Sequence, residues 1–314
     1  MTSSTILTTL TKADTPKVVG LLRKVFRNPP SEAEWNWYAF GSPFGPSRIY
    51  AGQNASGELL GCFGFHPSIL RIAGHLVSGS FGHHLAIAPE ARGGGLFIRL
   101  SEFAFQEEQA AGIRFVYGPP NQNASRPHKI LMAWRDFFSL EVLSKKPAAH
   151  TSHSCENLAA FGSAYEAMYE EWSHSLSFCT HKTAAWMNWR FLNRPVAPYT
   201  TLAYYNRGKM TGYVILKRWV EPNGYRKAHI MDLVALDLQG LAEVLSAADA
   251  FSADCDELNL WNSPDYPYRG SLVKHGFTAQ PELRQTVIIK DLQDSVLTFP
   301  VGQSTFMYGD ADGY

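Results

Sequence analysis

The sequence predicts an α/β fold built twice along one chain, and three observations carry that expectation. An apolar, strand-like run breaks at Pro89 and restarts as a helix after three consecutive glycines, Gly93, Gly94 and Gly95. The segment from Asn36-Trp37 to Pro43 and Pro46 aligns without gaps on the segment from Asn188-Trp189 to Pro195 and Pro198, as a tandem duplication would leave it. The length, 314 residues, is that of two domains of ordinary size.

Taken in order, the elements follow from local signals. Asp14 stands where it can cap a helix reaching about Phe26, with Val18, Leu21, Leu22 and Val25 on one face. Ser31, with Glu34 three residues on, forms a capping box for a second helix that holds Trp35, Trp37 and Tyr38. Strands are expected over Arg48–Ala51 and Leu59–Phe65, joined through Asn54–Gly57, then over Ile69–Ile72, and in a long run ending at Ile87. The helix after the glycines carries Leu96, Leu100, Phe103 and Ala104 at helical spacing and closes at Gly112. A buried strand over Ile113–Tyr117, an irregular Gly118-Pro-Pro-Asn-Gln-Asn123 segment, a short helix around His128–Trp134 and a strand over Ser139–Ser144 complete the first half. In the second half Ala203, Asn206, Gly208 and Gly212 repeat Ala51, Asn54, Gly57 and Gly61, and Ile230–Leu236 and Glu257–Trp261 read as strands. The two domains are therefore expected at 1–150 and 151–314.

Composition bounds the function. With 28 basic and 28 acidic residues the formal charge is zero, which argues against nucleic-acid binding driven by bulk charge. Hydrophobic residues make up 45%, enough for packed cores, and no run approaches the roughly 18 apolar residues of a membrane span. Cys62, Cys155, Cys179 and Cys255 form no Cys-x-x-Cys pair, so reduced thiols, a cytoplasmic setting and no metal site are expected. The N-terminus does not read as a signal peptide.

The loop Arg92-Gly93-Gly94-Gly95 supplies the first chemical signal. Without Cβ atoms its amides can converge, and it opens a helix whose N-terminal dipole and free N–H groups attract an anion. It is not a P-loop, because no Lys-Ser/Thr follows Gly95, and it lacks the Gly-x-Gly-x-x-Gly order of a dinucleotide fold. The second half keeps one glycine at the matching turn, Asp237-Leu-Gln-Gly-Leu-Ala-Glu, and no arginine, so one working phosphate loop is expected.

A strand ending before Arg92-x-x-Gly95 resembles the acyl-coenzyme-A loop, Gln/Arg-x-x-Gly-x-Gly/Ala, of the GNAT superfamily of N-acetyltransferases, with Phe97 in place of the final small residue. Asn121, Asn123 and Ser125 resemble the Pro-Asn-x-x-Ser segment of one GNAT subgroup, and Trp189-Arg190-Phe191 and the terminal Tyr308-Gly309-Asp310-Ala-Asp312 are also similar to it. The resemblance covers nearly the whole chain. It implies two tandem GNAT-like domains, each a twisted mixed sheet flanked by helices, the first binding acyl-CoA and catalytic, the second degenerate and shaping the acceptor site.

The same resemblance implies where the groups lie. Leu85, Ala86 and Ile87 would pair with the pantetheine as an added strand, while Arg92, Gly93, Gly94, Gly95, Leu96 and Phe97 would hold the pyrophosphate, and Asn121, Asn123 and Ser125 the pantetheine amides. His83 stands two residues before Leu85-Ala86-Ile87, the spacing of a histidine in the arylalkylamine-type enzymes, and is the candidate base; His84, expected on the opposite face of the strand, is the alternative. No tyrosine lies between Ser125 and Trp134 to serve as thiolate acid, and Ser125 or His128 would have to replace it. Trp35, Trp37, Trp186 and Trp189 read as packing, Asp232 as structural, and Lys145-Lys146 as a solvated strand end. The expected activity is acetyl transfer from acetyl-CoA to a primary amine of a small molecule, an amino sugar among the candidates. The alternatives are a non-catalytic acyl-CoA sensor and an aminoacyl-tRNA-dependent transferase, against which the neutral charge counts.

Overall fold

The computed structural model describes residues 5–148, 154–196, 199–293 and 296–311. Its contacts divide into two units: Met1–Ile69, Ser78–Phe137 and Val287–Thr298 form the first, and Leu70–Val77, Phe138–Thr286 and Phe299–Tyr314 the second.

In the first unit β1 (Ile6–Leu10), β2 (Arg48–Gln53), β3 (Leu59–Ile72), β4 (His75–Ile87) and β5 (Phe115–Gly118) follow one another across a mixed sheet. β1 to β3 pair antiparallel, and β4 and β5 run parallel. Helices α1 (Thr15–Val25) and α2 (Glu32–Phe40) cover one face through Val18, Leu22, Trp35 and Ala39 against Ile49, Cys62 and Ala86. Helices α3 (Leu96–Ala110) and α4 (Gln122–Met132) cover the other, where Leu96, Leu100, Phe105 and Met132 meet Phe63, Phe65 and Val116. The capping box at α2 forms as the sequence predicts, Ser31 Oγ accepting from the Glu34 amide at 3.2 Å and Glu34 from the Ser31 amide at 3.0 Å. Asp14 behaves differently: its carboxylate turns back to the Thr11 amide at 3.0 Å and leaves α1 without a side-chain cap.

In the second unit β6 (Arg135–Lys145) contributes from Phe138 onward, followed by β7 (Glu156–Asn157), α5 (Ser163–Ser173), β8 (Phe178–Thr180), α6 (Ala184–Met187), β9 (Thr200–Asn206), β10 (Lys209–Val220), β11 (Arg226–Ala235), α7 (Leu238–Phe251), β12 (Glu257–Asn262), α8 (Arg269–Lys274) and the first part of β13 (Thr278–Asp291). Strands β9, β10 and β11 pair antiparallel and β11 runs parallel to β12, which repeats the order of β2 to β5.

A single cut between residues 150 and 151 does not divide these units. The exposed edge of each parallel pair is the reason, since an unpaired edge left in water invites association. In the first unit that edge is covered by the end of the chain, Ile288↔Gly118 through Asp291↔Phe115; in the second it is covered by β6, Leu258↔Lys145 through Asn262↔Glu141. The tip of the β3–β4 hairpin, turning at Ala73 and Gly74 with φ of +48° and +82°, joins the second unit by pairing Leu70 with Thr180.

The duplication shows in matched details. Gly57 and Gly208 both turn their hairpins at φ +80°. Asn36 accepts from Thr15 Oγ1 at the start of α1 (2.8 Å), and Asn188 accepts from the Phe161 amide just before α5 (2.8 Å). A Cβ on Gly61 would sit 3.2 Å from the Ala86 carbonyl and one on Gly212 3.4 Å from that of Val234, which places Leu85-Ala86-Ile87 opposite Leu233-Val234-Ala235. Trp186 and Trp189 are buried with ring centroids 6.1 Å apart, as packing residues. Lys145 is not a solvated strand end, because its ammonium is buried against Asp249 at 2.7 Å.

Candidate active site

The site lies at the end of β4 in the first unit. Among the described residues, parallel pairing with β5 runs only through Ser80↔Val116 and Phe81↔Tyr117, so beyond Gly82 no strand pairs along that edge of β4. The Ala88 amide bonds Leu60 on β3 at 2.9 Å; by strand alternation Leu85 and Ile87 present their backbone groups to the opposite, open side. The Ile87 carbonyl accepts from Arg92 Nε at 3.2 Å, which ties the glycine loop to the strand end.

The loop has the conformation that glycine alone adopts cheaply. Gly93 and Gly95 have φ of +80° and +72°, whereas Gly94 is exposed at ordinary φ, and a Cβ added there would meet nothing closer than the Ala91 carbonyl at 3.8 Å. The first helical bond of α3 is from the Arg99 amide to the Gly95 carbonyl at 3.2 Å, so the amides of Gly95, Leu96, Phe97 and Ile98 precede any intrahelical acceptor. Leu96 itself is buried and Phe97 half-buried, its ring 5.6 Å from that of His128; both contribute backbone rather than side chain to the loop. An exposed turn of convergent amides at the start of a fifteen-residue helix suits a pyrophosphate.

α3 is held in place by a buried network. The Glu108 carboxylate, fully buried, accepts from Arg48 Nε and Nη2 at 2.5 and 2.6 Å, from Ser80 Oγ at 2.6 Å and from Tyr50 at 2.9 Å. These bonds lock the helix to β2 and β4, and with it the loop at its start. Burial beside Glu108 pushes the Tyr50 hydroxyl far above its ordinary pKa.

The two histidines do not face opposite sides of the strand. His84 has φ +47°, a left-handed bulge that interrupts the alternation and turns both rings toward α2. Their Nδ1 atoms lie 3.0 Å apart, so one ring donates and the other accepts. Trp35 and Tyr38 flank them, with Tyr38 edge-on to His83 at 4.9 Å and Trp35 edge-on to His84 at 5.3 Å. His83 is 3% exposed and lies over Gly64, where a Cβ would stand 2.5 Å from its Nε2; that Nε2 is buried without a hydrogen-bond partner among the described residues. Burial, then the neighbouring His84 and His66 imidazoles, hold the His83 pKa well below the ordinary histidine value, and the ring is neutral at pH 7. A third histidine, His66, bonds Ser47 Oγ at 3.0 Å and stacks on Tyr38 at 5.1 Å. Its place beside the pair has one sequence trace, the alternation of Phe63, Gly64, Phe65 and His66 along β3.

The segment after β5 is partly committed to its own helix. Asn121 caps α4, its Oδ1 accepting the Ala124 amide at 2.9 Å, and the Ser125 amide bonds the Asn121 carbonyl at 3.0 Å. The side chain of Asn123 lies outside the described residues. His128 donates from Nδ1 to the Ala124 carbonyl at 2.7 Å, and burial lowers its pKa. In its neutral form the remaining Nε2 is therefore an acceptor, which suits it poorly as a proton donor to a thiolate. Among the described residues no group of three or more His, Cys, Asp or Glu side chains is placed to hold a metal.

Residues 7–127, which include the bare strand edge, the bulge and the glycine loop, match the family described as an acetyltransferase (GNAT) domain. Over those residues the chain is similar to a GNAT domain. Likeness of fold extends beyond that match. A GCN5-related N-acetyltransferase from Anabaena variabilis superposes with a TM-score of 0.72 at 14% identity, covering 92% of this chain and 73% of its own. A conserved protein of unknown function from Enterococcus faecalis, described as a probable N-acyltransferase, gives 0.71 at 13% with the same coverage. N-myristoyltransferase from Saccharomyces cerevisiae, solved with bound myristoyl-CoA and inhibitors, gives 0.65 at 10%, covering 93% and 81%. No curated protein sequence matches the chain. Those solved structures share the fold, and the GNAT match in the first half is that of an acyltransferase domain.

Proposed function

We propose that the chain is an acyl-CoA-dependent N-acyltransferase that moves an acetyl group to the primary amine of a small molecule, an amino sugar being one candidate. The observation that carries this reading is the bare edge of β4 beyond Phe81 beside the open amides of Gly95–Ile98. Leu85 and Ile87 would pair with the pantetheine as an added strand, and the glycine loop, with Arg92 tethered beside it, would hold the pyrophosphate. The bound myristoyl-CoA of the yeast protein supports an acyl-CoA donor for this fold.

The residues of the site then divide the work. Positioning the thioester beside the amine is the larger part of the rate gain in such a transfer. A bulge leaves backbone N–H groups out of the ladder, and one near His84 would face the thioester oxygen as charge builds on it. The histidine pair takes the ammonium proton as a unit: half-buried His84 receives it, and neutral His83 shares it through the Nδ1–Nδ1 bond. A non-catalytic acyl-CoA binder is the second reading, favoured by the sealed His83 and by the acceptor character of His128.

The test is release of free coenzyme A thiol from acetyl-CoA against a panel of amino sugars, polyamines, arylalkylamines and amino acids. We expect turnover with one of these classes and a loss of roughly 10²- to 10⁴-fold in His84→Asn or His83→Asn, the range for a general base. Binding of acetyl-CoA without thiol release on any amine would leave the binder, and no binding at all would overturn both.

A further inference from the structure

In the second half each feature that makes the first half a coenzyme site is already taken by the chain itself. The amide of Gly240, at the start of α7, bonds the Asp237 carboxylate at 2.6 Å, so an anion is built in at the helix N-terminus. The carbonyls of Leu233 and Ala235, which match Leu85 and Ile87, accept from the hydroxyls of Tyr266 at 3.1 Å and Tyr268 at 3.0 Å. Pairing of β11 with β12 ends at His229↔Asn259, and where the strands part the Tyr308 ring lies 4.7 Å from that of Trp261 on β12 and 5.3 Å from that of His229 on β11.

Tyr308 belongs to a C-terminal segment that is buried from Ser304 to Gly309. The Thr305 amide bonds the Phe178 carbonyl at 3.0 Å. Arg190 donates to the carbonyls of Gly309 at 3.1 Å and Ala311 at 2.8 Å. Lys182, 2% exposed, joins Asp310 at 3.1 Å to Asp232 at 2.9 Å, and Tyr213 completes Asp232 at 2.8 Å. Asp232 stands where His84 stands in the first half, and β11 slips register there, from Ile215↔Asp232 to Leu216↔Ile230, as β4 bulges at His84. Gly309 passes so close that a Cβ would meet the Met231 carbonyl at 2.9 Å.

We propose that the second half holds a peptide site whose ligand is the chain's own segment Ser304–Ala311, anchored by the Tyr308 ring and the Asp310 carboxylate, and that the chain consequently binds a single acyl-CoA. The coenzyme clause rests on the reading of the first half as the acyl-CoA site; the tail clause does not.

Two experiments on the full chain test it. Calorimetric titration with acetyl-CoA should give one site in wild type and one site weakened by about 5- to 1,000-fold in Gly94→Glu. Adding Asp237→Asn to Gly94→Glu should restore no affinity and add no second site, because Tyr266, Tyr268 and Tyr308 remain. A second site in wild type, or wild-type affinity in either variant, would overturn the inference, whereas no binding to wild type would sink the acyl-CoA reading and leave the tail to the second experiment. Hydrogen exchange without coenzyme compares wild type with Tyr308→Ala/Asp310→Ala. If the tail is a ligand, exchange rises at least tenfold both in 304–311 and in the strand segments 229–236 and 257–262. A rise confined to the tail would refute it, as would a tail that exchanges freely in wild type.

Discussion

Gly94→Glu separates the chemistry of the loop from its fold. Gly94 has an ordinary φ and its substituent would meet only the Ala91 carbonyl at 3.8 Å, so the folded state accepts a side chain there. Stability should stay within about 0.5 kcal/mol of wild type, as for other exposed substitutions. A carboxylate about 4 Å from a phosphate charge opposes it by about 1 kcal/mol in water and about 4 kcal/mol at the effective dielectric of a protein surface. That range weakens acetyl-CoA binding by about 5- to 1,000-fold. Gly93→Ala is the counterpart: at φ +80° a Cβ costs about 1–2 kcal/mol of stability while adding no charge. Calorimetry and thermal unfolding on both variants read the two effects apart. Wild-type affinity in Gly94→Glu would refute the assignment of the loop, whatever the fate of the fold.

Three other outcomes follow from the same geometry. Gly64→Ala drives a methyl into the His83 ring, so it should lower turnover at least tenfold with little change in acetyl-CoA affinity, at about 1–3 kcal/mol of overpacking strain; steady-state kinetics beside calorimetry would show the split. Glu108→Gln breaks a buried bidentate pair and should cost about 3 kcal/mol in denaturant unfolding, since Arg48 would keep its charge with a neutral partner. The His83 pKa is lower in the folded state than in the unfolded chain, so below about pH 6.5 the unfolded state binds more protons and stability falls with pH, by up to about 1.4 kcal/mol per pH unit for this group. Unfolding followed from pH 7.5 to 5 should show that slope in wild type and a slope smaller by this amount in His83→Gln; equal slopes would deny that His83 is held neutral.

Much of the fold and the loop is legible in the sequence, and the residues show why. The strand, the glycine turn and the helix after it are local features, and so is the capping box at Ser31. The repeat is readable because turn glycines and the Asn-Trp pair keep their spacing to within one residue. What escapes is set by distant partners. The lending of β6 to β12 and of Ile288–Asp291 to β5 depends on which edges need covering, which no local pattern records. Strand alternation gives the wrong facing for His83 and His84 because it does not hold across a bulge, and nothing in the residues around His84 marks where the positive φ falls. Lys145 reads as a surface charge until Asp249, far along the chain, is placed beside it.

The second half supplies the control that the first half lacks. β11 shifts register at Asp232, the position that matches the positive-φ His84 of β4, so an irregularity there belongs to the scaffold and does not by itself make a site. In the second half a charged cluster replaces the imidazoles, a carboxylate fills the helix start and two tyrosines close the strand edge. Among the described residues of the first half, no strand pairs with β4 beyond Phe81 on its β5 side, where the Ile87 carbonyl takes only the Arg92 side chain, the helix start is open, and the groups at the bulge are imidazoles, one of them buried neutral without a partner on Nε2. At the matching position the second half instead pairs its buried charges, Lys182 with Asp232. What sets the first half apart is the combination at one place of an unpaired strand edge, exposed loop amides and the buried, neutral His83.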